Sequence, residues 1–252
     1  MCAVLLAGAL LGCEGVPPGG REMLARANAA YARGDYAAGN ASAGEFLRRF
    51  ASSVGAGEAY YLRGLCRVRL GQHDAARADF AAGAAIADRP ELKAYCQAML
   101  ANLAYDRGEI DAALAEYAAS VPYLPARPPT DEILFRYGVC LQRTGRWDEA
   151  RHVFSRLLDE FATSPEANAA RCRFAWRHDY FAVECGVFRR VDEANRAAER
   201  LRGLGLDTSV EFVRLDGQAA WRVLCGRYPT YNEAAGGLAR VRAIEPQARI
   251  VP

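Results

Sequence analysis

Gly34, Gly71, Gly108 and Gly145 stand 37 residues apart, and other residues keep step with them. Five positions after each glycine come Gly39, Ala76, Ala113 and Ala150; nine after come Ala43, Phe80, Tyr117 and Phe154. A fixed period of this kind commits the chain to stacking copies of one small unit, because no single copy buries its apolar face alone. Between the markers run helical patterns of about 14 residues. Each glycine falls where one helix ends, since it accepts the positive φ of a helix C-cap. The alanine lets two helices approach, and the aromatic fills the space between them. The expectation is a series of helix-turn-helix units.

The three later units read RLGQHDAARADF, DRGEIDAALAEY and RTGRWDEARHVF. This order of glycine, alanine and aromatic resembles the tetratricopeptide repeat, over about residues 20–163. Unit one departs from it, with Gly39 and Ala43 for the alanine and the aromatic. Ser164-Pro165-Glu166 is expected to start a closing helix, with serine at the N-cap, so the array is bounded at 21–177. The resemblance implies a concave groove lined by the first helix of each unit. Carried onto this chain, its positions include Tyr31, Tyr61, Asn102, Tyr105 and Phe135, a set suited to a peptide from a protein partner. The other reading is that the tyrosines pack between helices. Cys66, Cys96, Cys140 and Cys172 read as free cysteines that behave as small hydrophobes.

Beyond residue 177 the text changes period. FAVECGVF, from Phe181 to Phe188, returns forty residues later as WRVLCGRY, from Trp221 to Tyr228. Both alternate, are rich in Val and aromatics, and read as strands. Amphipathic helical patterns follow at 191–203 and 230–243, the second opening on a capping box from Thr230 to Glu233. With LDTSVEFV, an Asp216-Gly217 turn and a final ARIV, the order is β-α-β-β-α-β. This is the ferredoxin-like arrangement of two similar halves. The expected fold class is therefore an α-helical repeat array followed by a small α+β domain at 178–252.

That domain resembles the SPOR (sporulation-related repeat) domain of bacterial envelope proteins, through V183-E-C-G-V-F188, E193-A194, W221-R-V-L-C-G-R-Y228 and E233-A234. The resemblance implies binding to peptidoglycan, above all to glycan strands stripped of their stem peptides, on an open sheet face. Period two sends Phe181, Val183, Cys185, Trp221, Val223 and Cys225 toward the helices. It sends Glu184, Arg222 and Leu224 outward, with Phe188 and Tyr228 near the strand ends. Those five are the expected glycan-binding residues. Family members commonly carry Gln at the place of Glu184, and an ionised carboxylate only accepts hydrogen bonds. Glu184 is also placed to pair with Arg222. Cys185 and Cys225 fall on adjacent strands and one face, either as a disulfide or as two buried thiols.

Residues 1–12, MCAVLLAGALLG, are apolar, uncharged and too short to span a bilayer. They read as an export signal. Leu10-Leu11-Gly12-Cys13 resembles a lipobox, which implies lipidation of Cys13, with 13–20 as a tether. Lys+Arg 32 against Asp+Glu 30 leaves a net charge of +2, which does not suggest a nucleic-acid partner. RNA-recognition modules share the βαββαβ order but need aromatics where this chain has Glu184, Arg222 and Leu224. The three histidines form no catalytic constellation, and no metal-ligand or phosphate-loop spacing occurs. The expectation is a non-enzymatic membrane-anchored envelope protein that needs no cofactor. It would bind the wall and a protein partner, in cell division or wall remodelling. The alternative is a protein scaffold in envelope assembly.

Overall fold

The computed structural model describes residues 15–215 and 217–252. The expected export signal and Cys13 lie outside the described residues. Among the described residues nine α-helices come first: α1 (Pro18–Ala32), α2 (Tyr36–Phe50), α3 (Ala56–Arg69), α4 (His73–Ile86), α5 (Pro90–Asp106), α6 (Ile110–Ser120), α7 (Thr130–Arg143), α8 (Trp147–Glu160) and α9 (Ala167–Phe174). Then follow β1 (Phe181–Phe188), α10 (Val191–Gly203), β2 (Thr208–Leu215), β3 (Gln218–Tyr228), α11 (Tyr231–Arg242) and β4 (Arg249–Val251). The chain forms two compact units, one running to Cys140 together with Arg156–Ala167, the other made of Leu141–Ser155 and Asn168–Pro252.

The four repeat glycines end α1, α3, α5 and α7 with φ of 81°, 73°, 77° and 76°. Each end is a Schellman motif. The residue after glycine donates to the carbonyl five residues back: Asp35 to Ala30, Gln72 to Arg67, Glu109 to Ala104 and Arg146 to Leu141, at 2.8–2.9 Å. Ala76, Ala113, Ala150, Phe80, Tyr117 and Phe154 are fully buried at the positions the repeat assigns them. The departure in unit one has a local cause. A Cβ on Gly39 would run into Cys66 Sγ of α3 and crowd the Ala27 carbonyl of α1, so the two neighbouring helices leave no room for alanine at this place on α2. Asp79 of α4 is buried and takes bonds from Arg63 Nη2 (2.6 Å) and Arg67 Nη1 (2.8 Å) of α3, tying the second hairpin together.

Two expectations need correction. Residues 15–20 are no free tether: α1 already begins at Pro18, Val16 is buried in the first core cluster, and Gly20 lies against the Phe46 ring. Proline at the first helical turn starts the helix. The closing helix begins at Ala167, not at Ser164, whose buried hydroxyl finds no partner and caps nothing.

In the second unit the sheet order is β2-β3-β1-β4, all antiparallel, with β1 and β3 as central neighbours. Helices α10 and α11 cover one face over a core of Val183, Val223, Cys225, Ala194, Ala198, Leu201 and Val241. Thr230 caps α11 as expected, Glu233 N–H donating to Thr230 Oγ1 at 3.3 Å, but the reciprocal bond of a capping box is replaced: Glu233 Oε1 accepts from the Thr230 hydroxyl at 2.9 Å and not from its backbone N–H. Gly237 in mid-α11 is explained by Tyr228, whose hydroxyl occupies the place of a Cβ. Gly236 beside it faces open space, and nothing in the structure accounts for it.

Candidate functional site

Two surfaces concern binding, one in each unit. In the first unit a cavity of about 260 Å³ opens among α1, α3, α5 and α7. Its walls include Tyr31, Tyr61 and Asn102 of the expected groove residues, with Leu65, Val68, Arg69, Met99, Asp106, Glu132 and Arg136 besides. Repeat spacing brings these together, because the same helical face recurs in each unit. The other two expected residues stand off the walls. Tyr105 lies beneath the Arg136 guanidinium, 5.2 Å from the ring centroid, and Phe135 is half-buried on α7.

The members of this groove play different parts. Tyr61 is 1% exposed and packs on Phe80 and Tyr95, with ring centroids 6.0 and 6.1 Å away. Burial holds its phenol well above the ordinary range, so it stays neutral and acts as core. Asn102 is oriented from behind. Its Oδ1 accepts the Tyr117 hydroxyl at 2.5 Å, and among the described residues its Nδ2 meets only the weak acceptor Met99 Sδ at 3.9 Å. The amide donor is thus presented with its rotamer set. Arg136 bonds Asp106 (2.8 Å) and Glu132 (3.0 Å), so the groove is polar but balanced in charge. Arg69 donates to Tyr31, which raises the guanidinium pKa.

The sheet of the second unit differs from the expected open face. Glu184 and Leu224 sit opposite each other on the outer side of β1 and β3, as expected, but they are only 6% and 2% exposed. Cover comes from the segment before β1. Trp176 belongs to one buried cluster with Leu224, Ala182 and Val251. Its Nε1 donates to the Tyr180 carbonyl at 2.9 Å, and the Arg222 guanidinium lies over its ring at 5.8 Å. His178 Nε2 is 2.8 Å from Glu211 Oε1 of β2, and its ring stacks on Tyr180 at 4.7 Å. Alternation of Trp176, His178 and Tyr180 brings three rings together, and the period-two order of WRHDY is the sequence signal for it.

Glu184 is held between two cations. Arg249 of β4 donates to Oε1 at 2.8 Å, and Arg222 Nε lies 2.9 Å from Oε2, off the N–H axis, an ion pair without a formed hydrogen bond. A carboxylate so engaged is no free acceptor for a sugar hydroxyl. Its partner Arg249 came from a strand too short to read for facing.

Phe188 and Tyr228 leave this face altogether. Register between β1 and β3 slips at Cys185, so that Glu184 opposes Leu224 but Gly186 opposes Val223. One extra residue turns every later side chain to the other face. Phe188 therefore points to the helix-bearing side, opposite Trp221. A second slip, between Phe181 and Val183, accompanies Tyr228 turning toward α11, in the space above Gly226 and Gly237. Gly186 inside the strand was the mark of the first bulge.

Cys185 and Cys225 have their sulfurs 2.8 Å apart as thiols. The bond from Cys185 to its neighbour, with burial, holds the Cys185 thiol far above the usual range. Among the described residues no group of three His, Cys, Asp or Glu side chains is placed to hold a metal, and no helix is long and apolar enough to cross a membrane.

The family model described as "SPOR domain" matches residues 178–252, and that described as "Tetratricopeptide repeat" matches 24–91 and 98–165. A solved tetratricopeptide repeat protein from Parabacteroides merdae ATCC 43184 has the same fold with a TM-score of 0.50 and 14% identity, over 75% of this chain and 66% of that one. The chain thus spans just under two thirds of that neighbour. No curated protein matches it. SPOR domains are peptidoglycan-binding modules of cell-envelope proteins, tetratricopeptide repeats are protein-interaction modules, and neither module is catalytic. The chain belongs to the tetratricopeptide repeat family and carries a C-terminal SPOR domain.

Proposed function

We propose that this protein is an exported, lipid-anchored adaptor of the bacterial envelope. Its SPOR domain holds stripped glycan strands, its repeats hold a segment of a protein partner, and it acts at sites of division or wall remodelling. The observation that carries this reading is the doubled βαβ text, which folds as one four-stranded domain with FAVECGVF and WRVLCGRY as its central strands. The groove supports the other half. An apolar floor of Leu65, Val68 and Leu103 with one oriented amide donor suits an extended segment that offers a backbone carbonyl. Balanced charge along it disfavours a strongly acidic or basic segment.

A fluorescent fusion of the full chain tests this in dividing cells. Concentration at constriction sites that fades when the amidases are removed is the expected result. An even envelope distribution in both strains would remove the division role.

A second reading has one specific observation behind it. Glu184 and Leu224 are covered, so the sheet face is not available as it stands. In that reading the domain packs on protein and the chain is a scaffold in envelope assembly.

A further inference from the structure

With the outer face covered, a different aromatic surface stands out. Register places Phe188, Trp221 and Phe212 in one row across β1, β3 and β2, on the helix-bearing side. Phe188 and Trp221 are half-buried against the core. Phe212, on the edge strand, is 58% exposed and meets the Trp221 ring edge-on, with centroids 5.9 Å apart. At roughly 4.8 Å per strand the row is about 10 Å wide. Arg214 follows Phe212 by two residues, so it shares the face, and it is exposed.

An exposed phenylalanine on an edge strand gains little packing and invites unwanted strand pairing. A row of rings beside a guanidinium has the chemistry of a sugar-acid site. Rings lie against the apolar face of a pyranose, and the planar fork takes a carboxylate in two bonds. A stripped glycan strand offers both. When an amidase adds water across the amide between muramic acid and the stem peptide, the peptide leaves with the amine. The lactyl group keeps a carboxylate. An intact strand has a neutral amide and a bulky peptide at that place.

We propose that Phe188, Trp221 and Phe212 form the glycan platform of this domain, and that Arg214 reads the free lactyl carboxylate of stripped muramic acid. The proposal rests on the wall-binding reading above and names its surface and its basis of selection. It places the preference for stripped strands in charge complementarity.

The test is cosedimentation of the full chain with purified sacculi, untreated and amidase-treated. Phe212→Ala should weaken binding to the stripped wall about tenfold, and Phe212→Trp should retain it. Arg214→Ala should abolish most of the preference for stripped over untreated wall, and Arg214→Lys should restore part of it. Both side chains are exposed, and circular dichroism checks that the variants remain folded. Unchanged binding and preference in Phe212→Ala and Arg214→Ala, with the unmodified chain binding well, would overturn the platform and leave the wall reading standing. A weakened Phe212→Ala beside an unchanged preference in Arg214→Ala would overturn the carboxylate readout. Failure of the unmodified chain to pellet with either wall would remove the wall reading and the platform together.

Discussion

Buried charge is costly unless it is paired, and three carboxylates show three outcomes. Asp79 sits between Arg63 and Arg67, and losing it would leave two guanidiniums facing each other in a half-buried site. Asp79→Ala should lower unfolding stability by about 3 kcal/mol, read as a fall in the urea midpoint. Glu58 is less well served. Burial pushes its carboxyl up to about 7, against the pull of Arg89 at 3.5 Å. The unfolded chain releases that proton near the ordinary glutamate value of 4.5. Between these values the folded state binds more protons, so stability falls as pH rises through the window and levels off above it. Glu58→Gln should remove that slope. At pH 8 it should be more stable than the unmodified chain by up to about 3 kcal/mol, a figure that already includes the attraction to Arg89. Near pH 4 the two should melt alike; a constant difference from pH 4 to 8 would contradict the assignment. Glu184 is paired so fully by Arg222 and Arg249 that it serves the sheet. The Arg222 pairing was legible in the sequence because period two brings neighbouring strands' residues to one face. Arg249 was not, because three residues of β4 carry no period.

At the scale of elements, helix ends and strand slips decide what each segment presents. Every repeat glycine closes a Schellman turn at positive φ. Gly108→Ala should therefore cost about 1–2 kcal/mol, although a Cβ there meets nothing, because the strain is in the backbone. Thermal melts of Gly108→Ala beside Gly19→Ala, a helical glycine with open space around it, separate the two effects. Repeat order, helix placement and the four-stranded sheet were all legible, since each follows from a period carried over many residues. A bulge is a single-residue event and breaks the period that reveals it. Slipping one place at Cys185 moved Phe188 off the predicted site and into line with Trp221 and Phe212. The same slip leaves Cys185 diagonal to Cys225 with the sulfurs in contact. We expect a thiol-disulfide oxidant of the envelope to join them, two thiols giving up two protons and two electrons. Protein purified from the envelope should then lack two titratable thiols when unfolded without reductant. It should also lose about 3–4 kcal/mol of stability once reduced.

At the scale of the whole molecule, two modules with different physics share one chain. The array is built by local repetition and offers a groove whose walls come from four successive units. The sheet domain is built by pairing residues forty places apart and offers aromatic and arginine side chains. Module order was legible because the period of the text changes near residue 177. The segment before β1 that covers the sheet was not, because Trp176, His178 and Tyr180 fall in the seam between the two periods, where neither pattern claims them. Wall binding is the central claim, and full-chain cosedimentation with sacculi tests it most directly. The account predicts several-fold stronger pelleting with amidase-treated wall than with untreated wall, weakened by salt as a carboxylate contact requires. Equal pelleting with both walls, or none from a folded chain, would contradict it.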